Sequence, residues 1–513
     1  MGTRSWIRLI WELPKNDHIS GYKIYWSLYA KKPSQAGAIV SAITNRYYIT
    51  SVQQERNYHI WVEAYHVNIK SKASTATVYT TTAWKIDTAE ANHLSIPSSS
   101  AVPAGMQLFW QDEFNDALLN KNKWSTNYYS TIDFLDRTNL SALYKDTLPQ
   151  PGIIMTGNSI KLIVNDSIPT RYYSGQRKIS SIQTYDWRTN ENHLDNRRGG
   201  YFEVRVRRSN TSGATSGLNA AYWFDSPGPD LKYYLEKGES LQGVNGVRPH
   251  GQAFEIDVFE EEDDAVTSTF TPFTMHGKVA AGGVFKGHLT TFNAPLTDQT
   301  DWVTHGLLWT PAGIKYYING ILQKGWIDTA NNMAPNHVMN ILIGNYYNQT
   351  KGVKSNAVLE VDYIRGYQWP IINGNELPDA GFEYGTGEPW TGTGKIVSAA
   401  KRSGKTGLLL LPNQTISQYV YLDNNQHYLL KYWAKGKGQL KTQVENITQV
   451  TGNAENAVEK TIILSQGFSH HILHFVTGNE YQNNMKTVKI TFINTGKEAI
   501  ALDDLELRKE QQK

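Results

Sequence analysis

The sequence predicts an all-β protein made of several β-sandwiches. Short runs in which apolar and polar residues alternate recur along most of the chain, and polar turns separate them, as in antiparallel sandwiches. Helix-type spacing of apolar residues is only scattered. The chain has 513 residues, more than one ordinary hydrophobic core accommodates, so its length suggests about three domains.

Composition and charge indicate a folded protein that binds no nucleic acid and has no membrane span. Charged residues make up 19% and hydrophobic residues 40% of the chain, and no apolar run reaches the ~18 residues of a spanning helix. The formal net charge of +3 is small, and no Lys/Arg cluster alternates with aromatic residues as in nucleic-acid-binding motifs. The absence of cysteine excludes disulfides, thiolate metal sites and thiol redox chemistry.

The first predicted domain spans residues 1–83. Its strands are indicated by the alternating runs RLIWELP, GYKIYWSLY, RYYITSV, YHIWVEAYH and ASTATVYTTT. The segment resembles a fibronectin type III domain at Trp11, Pro14, Tyr22, Tyr25, Tyr58, Val62 and Ala64. This resemblance implies a spacer or docking module. Residues 84–105 include SIPSSSAVPAG, are rich in Ser, Pro and Ala, and are interpreted as a linker.

The second predicted domain, residues 106–370, is large enough for a jelly roll of two sheets with a groove. Its strand candidates are QLFWQDEF, SIKLIVND, GGYFEVRVRR, NAAYWFD, AFEIDVFEE, GLLWTPAGIKYYING and LEVDYIRGYQ.

The third predicted domain, residues 371–513, contains NELPDAGFEYGTGEPW, SGKTGLLLLP, YLLKYWAKGKG and KITFINTGKEAIALDDLELR. These stretches resemble the jelly-roll carbohydrate-binding modules attached to polysaccharide hydrolases. The resemblance rests on the motifs GFE, SGK and WAKG and on the final DD-L-L pattern. The resemblance makes Trp390 and Trp433 candidate ligand platforms. Core packing is the alternative, and it is favoured for Trp433.

The stretch FEIDVFEEEDD, from Phe254 to Asp264, places acids within a strand pattern. Regular alternation puts Glu255, Asp257 and Glu261 on one face and Glu260 on the other. Burying one or two uncompensated carboxylates costs several kcal/mol, so such a row is either a solvated edge or a catalytic device. The last acids, Glu262, Asp263 and Asp264, are interpreted as a solvated strand end.

The middle domain resembles glycoside hydrolase family 16. The resemblance rests on LFWQDEFNDALLNKNKW, GGYFEVRVRR, EIDVFE, HGLLWTPAGIKYYINGI and VDYIRGYQ, which occur in the family's order and spacing. It implies a concanavalin A-like jelly roll whose catalytic signature, Glu-x-Asp-x-x-Glu, matches Glu255, Asp257 and Glu260. A β-bulge between Asp257 and Glu260 would bring all three onto one face.

The resemblance also implies roles for the three acids. Glu255 would be the nucleophile, Glu260 the general acid and base, and Asp257 a neighbour whose charge favours the protonated form of Glu260. Four effective strand steps separate the outer backbones by ~13 Å, which lets their side chains approach the ~5–5.5 Å of a retaining enzyme. The ~6.5–9.5 Å of an inverting enzyme stays possible by this arithmetic, and the resemblance favours retention.

Other candidate residues have weaker patterns. His276 in TMHGKV, Trp223 in AAYWF and Trp309 in LLWTP could contact the sugar, with core packing as the alternative for each. Glu113 and Asp362 match family positions that contribute to a structural calcium site, although calcium wants six to eight oxygens. Catalysis itself is expected to need no cofactor.

The expected substrate is a polysaccharide, in particular a sulfated red-algal galactan. Family members that cut β-glucans carry GLWPAFW, whereas this chain reads GLNAAYW, so Asn219 and Ala220 replace Trp and Pro. The segment before the catalytic strand is long, and such an insertion would reshape the groove wall. Cations that could bind sulfate esters lie nearby, with solvated surface charge as the alternative: Arg197, Arg198, Lys232, Lys237, Arg248 and Lys278. Arg198 and Arg248 are taken as substrate-binding candidates.

These features resemble the galactanase branch of the family, which includes carrageenases, furcellaran-type enzymes, agarases and porphyranases. Two alternatives remain: a laminarinase or mixed-linkage β-glucanase of the same fold, and a non-catalytic polysaccharide-binding protein. The N-terminus MGTRSWIRLIWELP shows no signal-peptide pattern, and we expect that it replaces a removed export signal. The protein is expected to act as a monomer, outside the cell, on the cell surface or in the periplasm of a bacterium.

Overall fold

The protein is described by a computed structural model that covers residues 6–11, 19–42, 46–50, 56–66, 74, 76–80, 94, 96–97, 99–126, 152–170, 177–186, 191–208, 217–225, 253–263, 274–282, 289–295, 301–327, 334–448, 453–480 and 484–510. Over these residues the fold is antiparallel β-structure with one short 3-10 helix, Ser398–Ala400. The predicted all-β class is therefore confirmed. None of the described residues form a helix long and apolar enough to cross a membrane.

The described part of the N-terminal segment contains six strands: β1 (Trp6–Ile10), β2 (Gly21–Ser27), β3 (Ala38–Ser41), β4 (Arg46–Thr50), β5 (Asn57–Tyr65) and β6 (Thr77–Thr80). β1 pairs with β4, and the other four form a sheet in the order β3-β2-β5-β6. Ile7, Ile49, Tyr58 and Ile60 are buried together between these sheets. β3 was not among the predicted strands.

The middle segment begins with β7 (Gln107–Asp112), β8 (Gly152–Met155), β9 (Ile160–Val164), β10 (Lys178–Gln183), β11 (Tyr185–Asp186), β12 (Glu191–Asn192), β13 (Gly200–Arg208) and β14 (Leu218–Asp225). It continues with β15 (Ala253–Asp263), β16 (Thr274–Gly282), β17 (Leu289–Pro295), β18 (Val303–Thr310), β19 (Gly313–Ile318), β20 (Ile321–Ile327), β21 (Asn340–Tyr347) and β22 (Ala357–Gln368).

These strands build two large sheets. One has six strands in the order β10-β21-β14-β15-β16-β17, and the other has eight, in the order β20-β19-β18-β13-β22-β9-β8 with β7 added beside β22. The sheets pack face to face, because Phe224 of the six-stranded sheet lies 5.1 Å from Phe202 and 6.4 Å from Trp309 of the other, measured between ring centroids. This is the two-sheet architecture that the sequence predicted.

The last segment contains β23 (Thr391–Gly392), β24 (Lys395–Val397), β25 (Gly407–Leu410), β26 (Thr415–Asp423), β27 (His427–Gly436), β28 (Gln439–Ile447), β29 (Ala454–Ile463), β30 (Ser469–Val476), β31 (Met485–Asn494) and β32 (Ile500–Lys509). They form two five-stranded sheets, β23-β26-β31-β28-β29 and β24-β25-β32-β27-β30. We call residues 371–510 the C-terminal module. Among the described residues, no sheet combines strands from two of the three predicted segments.

The sequence favoured core packing for Trp433 and left Trp390 as a ligand platform, and the structure shows the opposite. Trp390 is buried in the module's core, where its Nε1 donates to the carbonyl of Asp379 over 3.0 Å. Trp433 is partly exposed, and the guanidinium of Arg402 stacks 3.9 Å from its ring centroid. Its neighbours Tyr432 and Ala434 point into the core, so the strand's alternation turns Trp433 outward.

The described part of the predicted linker is packed against the eight-stranded sheet. Leu94, Ala101 and Val102 of the linker, together with Met106 directly after it, contact a buried cluster on that sheet's outer face: Leu108, Tyr201, Leu308 and Tyr367. The carbonyl of Ile96 accepts a hydrogen bond of 2.9 Å from Nη1 of Arg365. Both faces of the eight-stranded sheet are therefore covered around β13, β18 and β22.

Candidate active site

The three predicted catalytic acids lie on β15, the strand that pairs with β14 and β16. Glu255 is opposite Asp225 of β14, Asp257 is opposite Trp223, and Glu260 is opposite Ala221. The three partners are alternate residues of one strand, so they share a face. Side chains of directly opposed residues also share a face, and the three acids consequently lie together.

A β-bulge in β15 produces this arrangement. Phe259 pairs with Tyr222 and Asp257 with Trp223, which leaves Val258 as an extra residue in β15. The register with β16 shifts at the same place, because Asp257 pairs with Lys278 and Glu260 with His276. Val258 and Phe259 are both buried in the core between the sheets. The predicted bulge between Asp257 and Glu260 is confirmed.

The acids differ in exposure and in their contacts. Asp257 is buried, with 2% of its surface exposed, while Glu255 and Glu260 are partly exposed. Nδ2 of Asn219 donates a hydrogen bond of 3.1 Å to Oε1 of Glu260. Asn219 is the residue that replaces the tryptophan of the glucan-type motif. The altered motif therefore contacts the acid that is expected to protonate the leaving group.

Trp223 lies on the same face as the acids and packs against a residue that the sequence did not single out. Its Nε1 is 3.4 Å from the hydroxyl oxygen of Tyr346 on β21. A Cβ on Gly344 would lie 2.3 Å from that hydroxyl, so the close approach of the Tyr346 ring requires glycine there. We call Trp223, Gly344 and Tyr346 the aromatic floor.

Polar residues next to Glu255 were also missed by sequence reasoning. Asp225 lies opposite Glu255 and is opposed in turn by Asn340 of β21. Oδ1 of Asn340 accepts from the backbone N–H of Tyr185 over 2.9 Å, and its Nδ2 donates to Gln183 over 3.2 Å. These residues lie on strands whose side chains are almost all buried, so alternation gave no signal for them.

Several predicted site residues fall on parts of the chain that the structure does not describe. Arg248, Lys232 and Lys237 lie outside the described residues, as does the insertion between residues 226 and 252. His276 and Lys278 are placed by their backbones, opposite Glu260 and Asp257. Their positions in the register are adjacent to the acids, and their role in binding stays a prediction.

Trp309 is not a sugar platform, and its assignment to the substrate site was wrong. Its side chain is fully buried between the sheets, and its Nε1 donates to the carbonyl of Pro335 over 2.9 Å. The ring stacks on Phe202 with a centroid separation of 6.2 Å. Leu307, two residues earlier on β18, faces the same core.

Arg198 is also misassigned, because it lies between the middle segment and the C-terminal module. Its Nη2 is paired with the carboxylate of Glu376, and its Nη1 donates to the carbonyl of Tyr421 over 3.2 Å. Arg197 forms a two-pronged ion pair with Asp195, with N···O distances of 3.0 and 3.1 Å. These two arginines are therefore engaged in protein ion pairs.

Glu113 and Asp362 are each bound by a different arginine. Both oxygens of Glu113 accept from Arg365, at 2.7 and 2.8 Å, and Asp362 accepts from Nη1 of Arg205 at 2.5 Å. Within the part of the chain that the structure describes, no group of three His, Asp or Glu side chains could hold a metal ion. The pairing with arginine does not support the predicted calcium ligands.

Two curated proteins resemble the chain in sequence. One is a keratan-sulfate endo-1,4-beta-galactosidase from Sphingobacterium multivorum, 23% identical over 445 residues, which cover 83% of this chain and 92% of that protein. The other is a glucan endo-1,3-beta-glucosidase A1 from Niallia circulans, 24% identical over 314 residues, which cover 55% of this chain and 41% of that protein. No family model matches the chain.

Among solved structures, the chain is similar to a GlcNAcα1-4Gal releasing endo-β-galactosidase from Clostridium perfringens. The two are 16% identical, the match covers 78% of this chain and 98% of that chain, and the TM-score is 0.38. The sequence relatives are endo-acting glycosidases by name, as the sequence analysis anticipated. The chain is an endo-acting glycoside hydrolase.

Proposed function

We propose that the protein is a retaining hydrolase of the family 16 type that cleaves internal β-1,4-galactosidic bonds in a sulfated, galactose-containing polysaccharide. The observation that carries the proposal is the bulge at Val258, which brings Glu255, Asp257 and Glu260 onto one face of β15. Two carboxylates flanking a sugar are the groups that a retaining glycosidase needs. The reaction uses these side chains and water and requires no cofactor.

The first half of the reaction forms a glycosyl-enzyme intermediate. Glu255 attacks the anomeric carbon of the bound sugar, and the bond from that carbon to the leaving oxygen breaks as the new ester bond forms. Glu260 donates its proton to the leaving oxygen. Asn219 occupies Oε1 of Glu260 as a donor, which leaves Oε2 to carry that proton. The charge of Asp257 favours the protonated form of Glu260 at this stage.

The second half releases the sugar. Glu260, now ionised, takes a proton from a water molecule, and the water oxygen bonds to the anomeric carbon. The ester bond breaks and Glu255 regains its carboxylate. Two displacements on the same carbon return the original β-configuration.

Two observations support the choice of bond and of polymer. The relative that matches most of the chain is named for endo-1,4-beta-galactosidase action on keratan sulfate, a sulfated polymer that contains galactose. Asn219 and Ala220, where glucan-type enzymes have Trp and Pro, favour a galactan independently. A keratan-sulfate-type chain and a sulfated red-algal galactan, such as carrageenan, furcellaran or porphyran, share the galactosidic bond that the proposal concerns. Because a polysaccharide chain is too large to enter a cell intact, we infer that the enzyme acts outside the cytoplasm.

A reducing-sugar assay of the wild type and Glu255→Gln tests the proposal. The polymers are keratan sulfate, κ-carrageenan, furcellaran, porphyran, agarose, laminarin and lichenan. We expect the wild type to cleave at least one of the sulfated polymers, which are keratan sulfate, κ-carrageenan, furcellaran and porphyran, and Glu255→Gln to cleave none. Cleavage of agarose alone would contradict the sulfated substrate. Cleavage of laminarin or lichenan alone would replace the galactosidase by a β-glucanase, and binding without cleavage of any polymer would favour the non-catalytic alternative.

A further inference from the structure

One carbonyl group in the segment of residues 334–339, which leads into β21, accepts hydrogen bonds from both the middle domain and the C-terminal module. The oxygen of Pro335 accepts a hydrogen bond of 2.9 Å from Nε1 of Trp309 in the catalytic core. It also accepts one of 2.8 Å from the hydroxyl of Tyr421, on β26 of the C-terminal module. A carbonyl oxygen has two lone pairs, so both donors can be satisfied together.

The next residue, Asn336, is bound to the module by a reciprocal pair of hydrogen bonds. Its backbone oxygen accepts from the N–H of Met485 over 2.7 Å, and its Nδ2 donates to the oxygen of Met485 over 2.7 Å. Asn336 and Tyr421 are both buried, with 0% and 2% of their surfaces exposed. Buried polar groups that lose their partners are costly, so this contact is held firmly.

Ion pairs flank these hydrogen bonds. Arg198 is paired with Glu376, and Nζ of Lys315 is 2.7 Å from Oε1 of Glu388. Burial alone would lower the pKa of the Arg198 guanidinium, but Glu376 and Asp423 outweigh burial and raise it. The arginine therefore stays charged and paired between the two parts of the chain.

The far end of the segment is fastened to the middle domain. Met339 exchanges two hydrogen bonds with the side chain of Asn196, from its N–H over 2.8 Å and to its oxygen over 2.9 Å. The following residue, Asn340, begins β21 and lies opposite Asp225, which lies opposite Glu255. β21 also carries Gly344 and Tyr346 of the aromatic floor.

We propose that the C-terminal module is a fixed positioning element of the active site. Tyr421 and Met485 hold segment 334–339, and this segment sets the position of β21 beneath the substrate. A module that acted only as a tether would affect cleavage of long polymers by raising their local concentration. A positioning element acts on catalysis with any substrate, including one too short to reach the module.

Two matched variants of the full chain test the proposal. Tyr421→Phe removes the hydrogen bond to Pro335, while Tyr432→Phe removes a buried hydrogen bond of 2.8 Å to Thr442 that lies wholly within the module. Hydrogen–deuterium exchange of peptides within residues 334–347 is measured for both. We expect Tyr421→Phe to raise exchange in these peptides roughly five-fold, and Tyr432→Phe to leave it at the wild-type rate.

The kinetic arm uses the shortest oligosaccharide that the wild type cleaves. Tyr421→Phe is expected to lower kcat roughly two- to five-fold with a smaller change in KM, and Tyr432→Phe is expected to keep the wild-type kcat. The kinetic measurement rests on the proposed function, whereas the exchange measurement needs no substrate. Failure of the proposed function can therefore be distinguished from failure of the positioning role. Wild-type exchange at residues 334–347 in Tyr421→Phe, or a kcat equal to that of the wild type, overturns the positioning role.

Discussion

Asn219 donates a hydrogen bond of 3.1 Å to Oε1 of Glu260 across strands β14 and β15. The two residues are offset by one step on the same face, since Glu260 lies directly opposite Ala221. A tryptophan at position 219 would offer only its indole N–H as a donor, on a much larger side chain. The departure from the glucan-type motif thus replaces a sugar platform with a polar contact to the proposed acid and base.

Asn219→Ala is expected to lower kcat/KM roughly ten-fold, because it removes a hydrogen bond to Glu260 that strengthens as this acid becomes charged on giving up its proton. Steady-state kinetics on the polymer that the wild type cleaves measures the effect. Asn356→Ala changes an exposed asparagine and serves as the control, with wild-type kinetics expected. If Asn219→Ala cleaved as fast as the wild type, the contact would have no part in catalysis.

Azide distinguishes the roles of the two outer acids. In Glu255→Ala, azide takes the place of the nucleophile in one displacement, so the expected product is an α-glycosyl azide. In Glu260→Ala, with an aryl glycoside whose leaving group needs no protonation, azide attacks the glycosyl-enzyme and yields the β-azide. Product configuration is read by NMR. The assignment is reversed if the anomers are exchanged, and an inverting mechanism gives no azide rescue through a covalent intermediate.

The sequence predicted β15 because FEIDVF displays the period of two of a strand. The three acids followed from the resemblance to family 16, since the period alone places Glu260 on the opposite face. The sequence could not predict β21, since all eight residues of NILIGNYY are buried and no alternation remains. Trp309 was assigned to the substrate site for the same reason. Both faces of the eight-stranded sheet are covered, so Leu308 and Trp309 are both buried and alternation does not show which of them faces a groove.

The local sequence pattern also could not predict ion pairs between residues that are far apart in the chain. Arg198 and Glu376 are 178 residues apart, and nothing in either neighbourhood indicates that one neutralises the other. The bulge at Val258 is different, because its existence followed from the family's acid spacing. The position of the extra residue in the bulge depends on the register between β15 and β14, and only the structure gives this register.

Gly344→Ala is expected to disturb the aromatic floor. The new Cβ would lie 2.3 Å from the hydroxyl of Tyr346 and 2.9 Å from Cβ of Ser181, so the Tyr346 ring must shift and its contact with Trp223 must change. Overpacking of this kind costs about 1–3 kcal/mol in the free energy of unfolding. We also expect KM to rise, because the displaced ring changes the surface beside the acids.

Chemical denaturation and steady-state kinetics check both effects of Gly344→Ala. Gly467→Ala is the matched control, since a Cβ there meets no atom within 4 Å, and it is expected to change neither quantity. Wild-type stability and KM in Gly344→Ala would show that Tyr346 does not depend on the glycine.

His305 makes the stability of the catalytic domain depend on pH. The imidazole is 1% exposed, its ring centroid is 4.5 Å from that of Phe259 beside the bulge, and among the described residues neither ring nitrogen has a hydrogen-bond partner. Burial lowers the pKa of His305 from 6.5 to about 3. The folded state therefore keeps the ring neutral at pH values where the unfolded chain protonates it.

Because the unfolded state binds the additional proton, the free energy of unfolding should fall as the pH drops below 6.5, and the fall should end near pH 3. The slope for one group is about 1.4 kcal/mol per pH unit, so about 2–3 kcal/mol should be lost between pH 6.5 and 4.5.

Urea denaturation of the wild type and His305→Leu at both pH values measures the difference, and the Leu variant should lose that much less. His427→Gln alters an exposed histidine and should follow the wild type. Equal losses in His305→Leu and the wild type would mean that other groups cause the acid sensitivity.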